Sequence, residues 1–159
     1  MNIKNRVTCL FKRAYALFYV IIFIGDIMFY IFRLTKGNDL KKSIVKYCSD
    51  NNIKAGIIGS CVGCCDEVNF RLAGGEKFYH SKKDYEIVSA TGTISEDGVH
   101  IHVSFSDDEG VTVGGHLSDG CIVNTTCEVC IIEIDNYKMN RVFDEETGYN
   151  ELVVSEIIK

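Results

Sequence analysis

Residues 99–117 read VHIHVSFSDDEGVTVGGHL, and this stretch predicts an antiparallel hairpin that carries three of the chain's four histidines. Both halves are rich in Val, Ile and Phe, and the polar SDDEG between them is typical of a turn. A turn centred on Asp108 pairs His116 with His100. Paired residues on antiparallel strands point to the same face, and His102, two residues from His100, shares that face. We therefore expect the three imidazoles to converge on one patch.

Three neutral imidazoles are a common ligand set for a divalent transition metal, most often zinc, with an open position for water or a substrate. We therefore predict a metal site formed by His100, His102 and His116. The alternative is structural, because strand histidines often only make hydrogen bonds, and a one-residue slip of register would turn His116 to the opposite face. Metal content distinguishes the two interpretations.

Length and composition indicate one globular domain, since the chain has 159 residues, is 47% hydrophobic and contains no proline. Its eight cysteines lack the spacing of a disulfide scaffold, which favours reduced thiols and a cytoplasmic protein. Residues 1–27 hold four basic residues and one acidic residue, so 13 basic and 21 acidic residues remain and give a charge of −8. Such a domain is repelled by phosphate backbones at long range.

Residues 1–27 form an apolar N-terminal extension in which four basic residues precede an apolar run over residues 14–24. This order resembles a signal anchor, and the run also suits the h-region of a signal peptide. However, no small-residue cleavage site follows, and the run is short for a span of ~20 residues. An over-long reading frame with the true start at Met28 is the alternative that we favour. The domain proper then covers residues 28–159, and a membrane is a partner only if the extension is present.

The segments around the hairpin predict one helix and several strands. Asp39 is expected to cap a helix that ends at Asn51-Asn52. Its apolar stripe is predicted to contain Leu40, Ile44, Val45 and Cys48. Strands are predicted over residues 29–34, 55–60, 67–72, 85–94, 122–134, 137–142 and 152–157, in addition to the hairpin. One helix against many antiparallel strands is an α+β domain.

Two cysteine pairs, Cys61-X-X-Cys64 and Cys127-X-X-Cys130, have the spacing of half zinc sites. Residues three apart on a regular strand face opposite sides, so Cys127 and Cys130 cannot both reach one metal. A loop between the strands predicted over residues 55–60 and 67–72 would bring two of the thiols of Cys61, Cys64 and Cys65 together for a redox or metal role. The alternative is that these thiols are small buried side chains.

Glu128 and Arg141 each interrupt an otherwise apolar strand, and either is a candidate to meet the histidine patch or a neighbouring subunit. Glu128 is a candidate further ligand of a metal there, or the general base if that metal activates water. Surface positions are the alternative for both residues. The sequence contains no phosphate-binding glycine loop, dinucleotide fingerprint or Ser-His-Asp order. A binding module is therefore favoured over an enzyme.

Seven segments occur in the order that is typical of a known family. They are FRLTKGNDL (32–40), GIIGS (56–60), YEIVSATGTIS (85–95), VHIHVSFSD (99–107), GGHL (114–117), TTCEVCIIE (125–133) and RVFDEETGYNEL (141–152). Through these segments the chain resembles the PPC (plant and prokaryote conserved) domain over residues 29–154. The His-X-His followed by Gly-Gly-His is the most telling part of this resemblance.

The resemblance implies a mainly antiparallel sheet with one flanking helix, assembly as a homotrimer, and a family label of DNA-binding protein. Plant members bind AT-rich DNA through an Arg-Gly-Arg-Pro AT-hook, which this proline-free chain lacks, so DNA is a partner by label only. Family members also resemble this chain at His100, His102 and His116. We therefore expect a stand-alone, homotrimeric binding or regulatory module that engages a small ligand or a protein. The alternative is a metal-dependent enzyme that acts on a small molecule with the same histidines.

Overall fold

The structure is a computed structural model that describes residues 27–157. Its elements are β1 (Phe29–Thr35), α1 (Leu40–Asp50), β2 (Ala55–Arg71), β3 (Phe78–Ser81), β4 (Tyr85–Ser95), β5 (Gly98–Ser106), β6 (Thr112–Leu117), β7 (Ile122–Glu133), β8 (Tyr137–Asp144) and β9 (Tyr149–Glu156). The extension predicted over residues 1–27 lies outside the described residues, except for Ile27. Within the described range, no helix has the length and apolar character that crossing a membrane requires.

The main sheet has the strand order β1-β7-β2-β4-β5-β6, with β3 paired to β2, and every pairing in it is antiparallel. The far end of β2 also pairs with β6, through Phe70 with Leu117 and Arg71 with His116, so the sheet curls back on itself. Strands β8 and β9 form a separate hairpin. A mainly antiparallel sheet with a single helix among the described residues confirms the predicted α+β class.

Helix α1 begins as predicted at Asp39, whose side chain accepts a hydrogen bond from the backbone N–H of Lys42 at 3.0 Å. The same carboxylate accepts a second bond from the N–H of Gly120 at 2.7 Å, which ties the helix to the loop between β6 and β7. Three of the four residues predicted for the apolar stripe are buried, whereas Val45 is 38% exposed. The helix therefore covers the sheet along a narrower stripe than the sequence indicated.

Strand β2 corrects one prediction, because Ala55–Arg71 is a single strand rather than two strands joined by a loop. Its pairing with β7 shifts register between Ile58 and Ser60 and again around Gly63 and Cys65. Bulges of this kind absorb extra residues without ending a strand, because the neighbouring strand continues to supply hydrogen bonds. The segment CVGCCD at residues 61–66 contains a glycine and a polar end, which are typical of a loop, so the sequence predicted a break between two strands there.

The hydrophobic core lies on the inner face of the curled sheet. Its largest fully buried side chains include Phe70, Tyr85 and Phe105, whose rings contact one another at centroid distances of 6.0 Å (Phe70 to Phe105) and 6.1 Å (Tyr85 to Phe105). Burying one such aromatic side chain contributes about 1.5–3 kcal/mol. These rings hold β2, β4 and β5 together beneath the histidine hairpin.

Alternation along β5 decides which residues can form a site. Ile101, Val103 and Phe105 point into the core, and each is buried. His100 and His102 occupy the intervening positions and therefore point outward, with His102 exposed and His100 half-buried. The core thus orients both imidazoles to the outer face.

Candidate metal centre

The register of the histidine hairpin differs from the prediction by two residues. Strands β5 and β6 pair His102 with His116. The predicted turn, centred on Asp108, paired His100 with His116 instead. A shift of two residues leaves every side chain on the same face, because strand side chains alternate with a period of two. The predicted register is therefore wrong, while the predicted face of all three histidines is retained.

Hydrogen bonds in the turn explain the shift. The side chain of Asp107 accepts hydrogen bonds from the backbone N–H groups of Glu109 at 3.1 Å and Val111 at 2.8 Å. The N–H of Asp107 donates to the carbonyl of Val111 at 3.1 Å, and Gly110 supplies the left-handed backbone that closes the turn at φ +79°. The turn is therefore centred on Glu109 instead of Asp108.

The three imidazoles lie in contact with one another. Ring centroids are separated by 4.8 Å for His100 and His116, 5.1 Å for His100 and His102, and 5.6 Å for His102 and His116. The Nε2 atoms of His100 and His102 are 3.2 Å apart, and one nitrogen from each ring lies within 4.8 Å of the others. Nitrogen ligands of a tetrahedral zinc ion are ~3.3 Å apart. Small rotations of the rings would therefore bring the three nitrogens to the spacing of zinc ligands.

The electrostatic surroundings keep two of these rings neutral. Burial, the neighbouring His100 and the guanidinium group of Arg71 lower the pKa of His116 to about 4. Burial and the nearby Arg141 likewise lower the pKa of His100. Neutral imidazole is the form that binds a metal. In addition, Nδ1 of His116 is buried and has no hydrogen-bond partner among the described residues, so no described protein group engages this nitrogen.

A cleft of about 530 Å³ adjoins the histidines. One wall is the main sheet and the other is the β8–β9 hairpin. Residues that line the cleft include Arg71, His100, His116, Arg141, Tyr149 and Glu151. The hairpin is held in place by the turn between β4 and β5, where the N–H of Glu96 donates to the carbonyl of Met139 at 3.1 Å and the carboxylate of Asp97 accepts from the N–H of Arg141 at 2.7 Å.

Arg141 lies beside the histidines, which is one of the positions that the sequence predicted for it. Its guanidinium Nη2 donates to Oγ1 of Thr93 at 2.8 Å, and Thr93 is the residue of β4 that pairs with His100. Arg71 was not predicted. It pairs with His116 across β2 and β6, and its guanidinium group lies 5.4 Å from the ring centroid of Tyr149. No local signal marks Arg71, because only the closure of the sheet brings it to the site.

Glu128, the candidate general base, lies elsewhere in the protomer. It is an exposed residue of β7, opposite Arg33 on β1 and Val62 on β2. Strands β2 and β4 separate β7 from β5 in the sheet. The structure therefore does not bring Glu128 to the imidazoles within one protomer.

The cysteines do not form a second ligand cluster. Sγ of Cys61 lies 3.5 Å from Sγ of Cys127, and both thiols are buried, as are Cys65 and Cys121. Cys130 is partly exposed, so Cys127 and Cys130 take opposite faces, as the strand geometry predicted. Burial raises the pKa of Cys121 to about 11 and also raises that of Cys65. Between residues 27 and 157, no disulfide forms and no thiol belongs to a group of potential metal ligands.

Known proteins resemble this chain in sequence and in structure. The sequence model of the Plants and Prokaryotes Conserved (PCC) domain matches residues 25–135. The chain is 34% identical over 133 residues to the bifunctional protein GlmU of Synechococcus sp. (strain JA-3-3Ab), covering 84% of this chain and 21% of that protein. The chain therefore spans about a fifth of the length of this relative.

Among solved structures, a hypothetical protein of Salmonella cholerae-suis (Salmonella enterica) superposes with a TM-score of 0.80 and 32% identity over 83% of this chain and 96% of that chain. A protein of Archaeoglobus fulgidus described as metal-containing superposes with a TM-score of 0.65 and 26% identity, over 79% of this chain and 93% of that chain. Both similarities cover nearly the whole of the other protein.

Proposed function

Because this chain belongs to the Plants and Prokaryotes Conserved (PCC) domain family, as its resemblance to the PPC domain indicated, we propose that it is a binding module whose three histidines hold a divalent transition metal. One observation carries this proposal: a nitrogen of each of His100, His102 and His116 lies within 4.8 Å of the other two. The metal-containing protein of Archaeoglobus fulgidus, which is 26% identical, supports it.

Imidazole ligands suit zinc, nickel, copper and iron, and zinc is the first candidate. A bound divalent cation would add two positive charges beside the cleft and act there as a Lewis acid. The lowered pKa values of His100 and His116 favour binding, because neither ring has to lose a proton at neutral pH.

Metal analysis of the full chain, purified without a histidine tag, tests the proposal. We expect about one transition metal per chain as isolated, or uptake of one equivalent when the metal-free protein is titrated calorimetrically with zinc, manganese or nickel. Absence of stoichiometric metal together with no uptake of any of the three would refute the site.

We also propose that the module is a homotrimer, the assembly that the resemblance implies. Apolar side chains on the surface support an interface: Phe29 and Ile31, two residues apart on one face of the edge strand β1, are 58% and 75% exposed. Neighbouring exposed apolar side chains of this kind are typical of subunit contacts. Sedimentation equilibrium should give three times the chain mass, and a monomer at micromolar concentration would contradict the assembly.

A metal-dependent enzyme is the second candidate, and the cleft favours it. Its volume of about 530 Å³ lies within the range of small-molecule sites, and it adjoins two of the three proposed ligands, His100 and His116. Glu128 would then act only across a subunit contact, because it is remote from the imidazoles in one protomer. A crystal structure with metal separates the candidates, since an open coordination position facing the cleft supports catalysis and a closed site supports a structural or sensing role.

DNA is the partner class that the family label implies, and we propose a small ligand or a protein in its place. The charge of −8 over residues 28–159 opposes association with a phosphate backbone. An electrophoretic mobility assay with an AT-rich duplex at physiological salt should show no complex below micromolar protein. A complex that forms there at nanomolar protein would overturn this choice.

A further inference from the structure

Two arginines flank the histidines from different elements. Arg71 sits at the end of β2, directly paired with His116 of β6. Arg141 comes from β8 and reaches Thr93, the β4 partner of His100. Paired residues of neighbouring strands point to the same face. Strand pairing therefore puts Arg71 on the face of the imidazoles, and the hydrogen bond to Thr93 brings the guanidinium group of Arg141 to the same site. Both arginines line the adjoining cleft.

Neither guanidinium group forms an ion pair with a described residue. The ion pairs among residues 27–157 take their cations from lysine side chains and from His80. Arg71 and Arg141 are both half-buried, yet no carboxylate of that part of the chain forms an ion pair with either one. A partly buried guanidinium group without a counter-charge is costly, because arginine stays protonated and its five donors seek acceptors.

Two carboxylates, Asp97 and Glu151, also line the cleft and offset the charges of the arginines, although neither forms an ion pair with Arg71 or Arg141 among residues 27–157. Asp97 is committed to the β8–β9 hairpin, where it accepts hydrogen bonds from the backbone N–H of Arg141 at 2.7 Å and from the side-chain amide of Asn140 at 3.1 Å. Glu151 belongs to β9 and lines the same cleft without an ion pair to Arg71 or Arg141 among the described residues. A cation held by the histidines would add two further positive charges.

We propose that this cleft is a binding site for a small dianion, a phosphate group or a dicarboxylate, which Arg71 and Arg141 hold beside the metal. The inference rests on the proposed metal site and adds the class of ligand. Guanidinium groups match both anions because two parallel N–H donors meet two oxygens. The cleft volume of about 530 Å³ fits a small molecule carrying such a group.

The two arginines are also held in place before any ligand arrives. The guanidinium group of Arg71 lies over the ring of Tyr149 at 5.4 Å, and that of Arg141 is bound to Thr93 at 2.8 Å. A side chain that is already ordered loses less conformational entropy on binding. The two guanidinium groups are therefore preorganised for a ligand.

The test uses the full chain loaded with zinc and titrated calorimetrically with inorganic phosphate and, in a separate arm, with malonate. Arg71→Gln and Arg141→Gln should each weaken binding about tenfold or more, because each removes charge-assisted hydrogen bonds to the anion. Arg33→Gln is the matched control, since Arg33 is exposed on β1 opposite Glu128. Metal content of all three variants should stay unchanged. Arg71→Lys and Arg141→Lys replace any variant that does not fold.

Cobalt in place of zinc gives a second readout, because an anion beside the metal should change the visible absorption of the cobalt protein. Binding of phosphate alone or malonate alone identifies the preferred class, and either result supports the site. A protein that binds metal but shows neither heat nor a spectral change with both anions overturns this inference and leaves the metal proposal standing. A protein that takes up no metal refutes the metal proposal. Phosphate is then titrated into this metal-free protein to test the arginine site alone. If phosphate does not bind, both the metal proposal and the anion proposal are overturned.

Discussion

The histidine patch and the cysteine cluster lie on opposite faces of the same curled sheet. The patch is formed by His100, His102 and His116 on the outer face, and the cluster by Cys61, Cys65, Cys121 and Cys127 in the core. Both groups include residues of metal-like motifs in the sequence: the patch consists of His-X-His and Gly-Gly-His, and the cluster contains one cysteine of each Cys-X-X-Cys pair, Cys61 and Cys127. Only the outward face leaves room for a ligand, and this difference decides which group can form a site.

Burial acts on the two groups in different ways. An imidazole that is half-buried becomes a better metal ligand, because the lowered pKa keeps His100 and His116 neutral. A thiol must lose its proton to bind a metal, and burial raises the pKa of Cys65 and Cys121. The same desolvation therefore favours metal binding on one face and opposes it on the other.

The largest expected effect is on metal affinity when one imidazole is removed. His102→Ala should weaken zinc binding about 100-fold or more, because two ligands remain of three. His80→Ala is the control, since His80 is exposed on β3 and bonded to Glu67 at 2.7 Å. Calorimetric titration of both variants checks this. Retention of wild-type affinity by His102→Ala would show that the patch is not the site.

The next effect concerns thiol reactivity. In the native protein, an alkylating reagent should modify the partly exposed Cys64 and Cys130 and leave the cysteine cluster unmodified until the protein is denatured. Peptide mapping by mass spectrometry identifies the labelled positions. Rapid labelling of Cys65 or Cys127 in native protein would mean that the core opens, and the contrast between the two faces would then be lost.

Stability should respond to the cluster by about 1–3 kcal/mol. Cys127→Ser places a hydroxyl in a fully buried position and should lower the free energy of unfolding by this amount while metal content stays the same. Cys64→Ser is the matched control, because Cys64 is partly exposed and its contact with Thr125 at 2.9 Å can be kept by a hydroxyl. Urea unfolding measures both variants. An equal loss in the two would contradict the assignment of Cys127 to the core.

The smallest effect is a dependence of stability on pH in the metal-free protein. The pKa of His116 falls from 6.5 to about 4 on folding, so the unfolded chain binds more protons between these values. Stability should therefore decrease as the pH falls from 6.5 to 4, by on the order of 1 kcal/mol from this residue once solvent screening is allowed for.

Urea unfolding at pH 7 and pH 4.5 in the presence of a chelator measures this dependence. His116→Asn should show a shallower decrease than the wild type, because asparagine does not titrate. Val88→Ala, which replaces an exposed residue that does not titrate, serves as its control and should show the wild-type slope. Parallel curves for the wild type and His116→Asn would mean that the patch does not hold His116 neutral.

Much of the fold could be predicted because its signals are local. The cap at Asp39, the apolar spacing that follows it, and the alternation along β5 each depend on residues close in the chain. Two predictions failed where a local signal was ambiguous. The predicted break in β2 is wrong because bulges let the strand continue past Gly63. The predicted register of β5 and β6 is wrong because the side chain of Asp107 moves the turn by one residue, which shifts the pairing by two.

The placement of His100, His102 and His116 on one face follows from residues 99–117 alone, because a strand alternates and a two-residue shift preserves the face. The surroundings of the patch do not follow from that stretch. Arg71 arrives through the pairing of β2 with β6, and Arg141 arrives because Asp97 anchors the β8–β9 hairpin. Contacts between residues far apart in the chain depend on how the sheet closes, and no local pattern encodes that closure. The three imidazoles are therefore a property of the sequence, whereas the charged cleft beside them is a property of the tertiary structure.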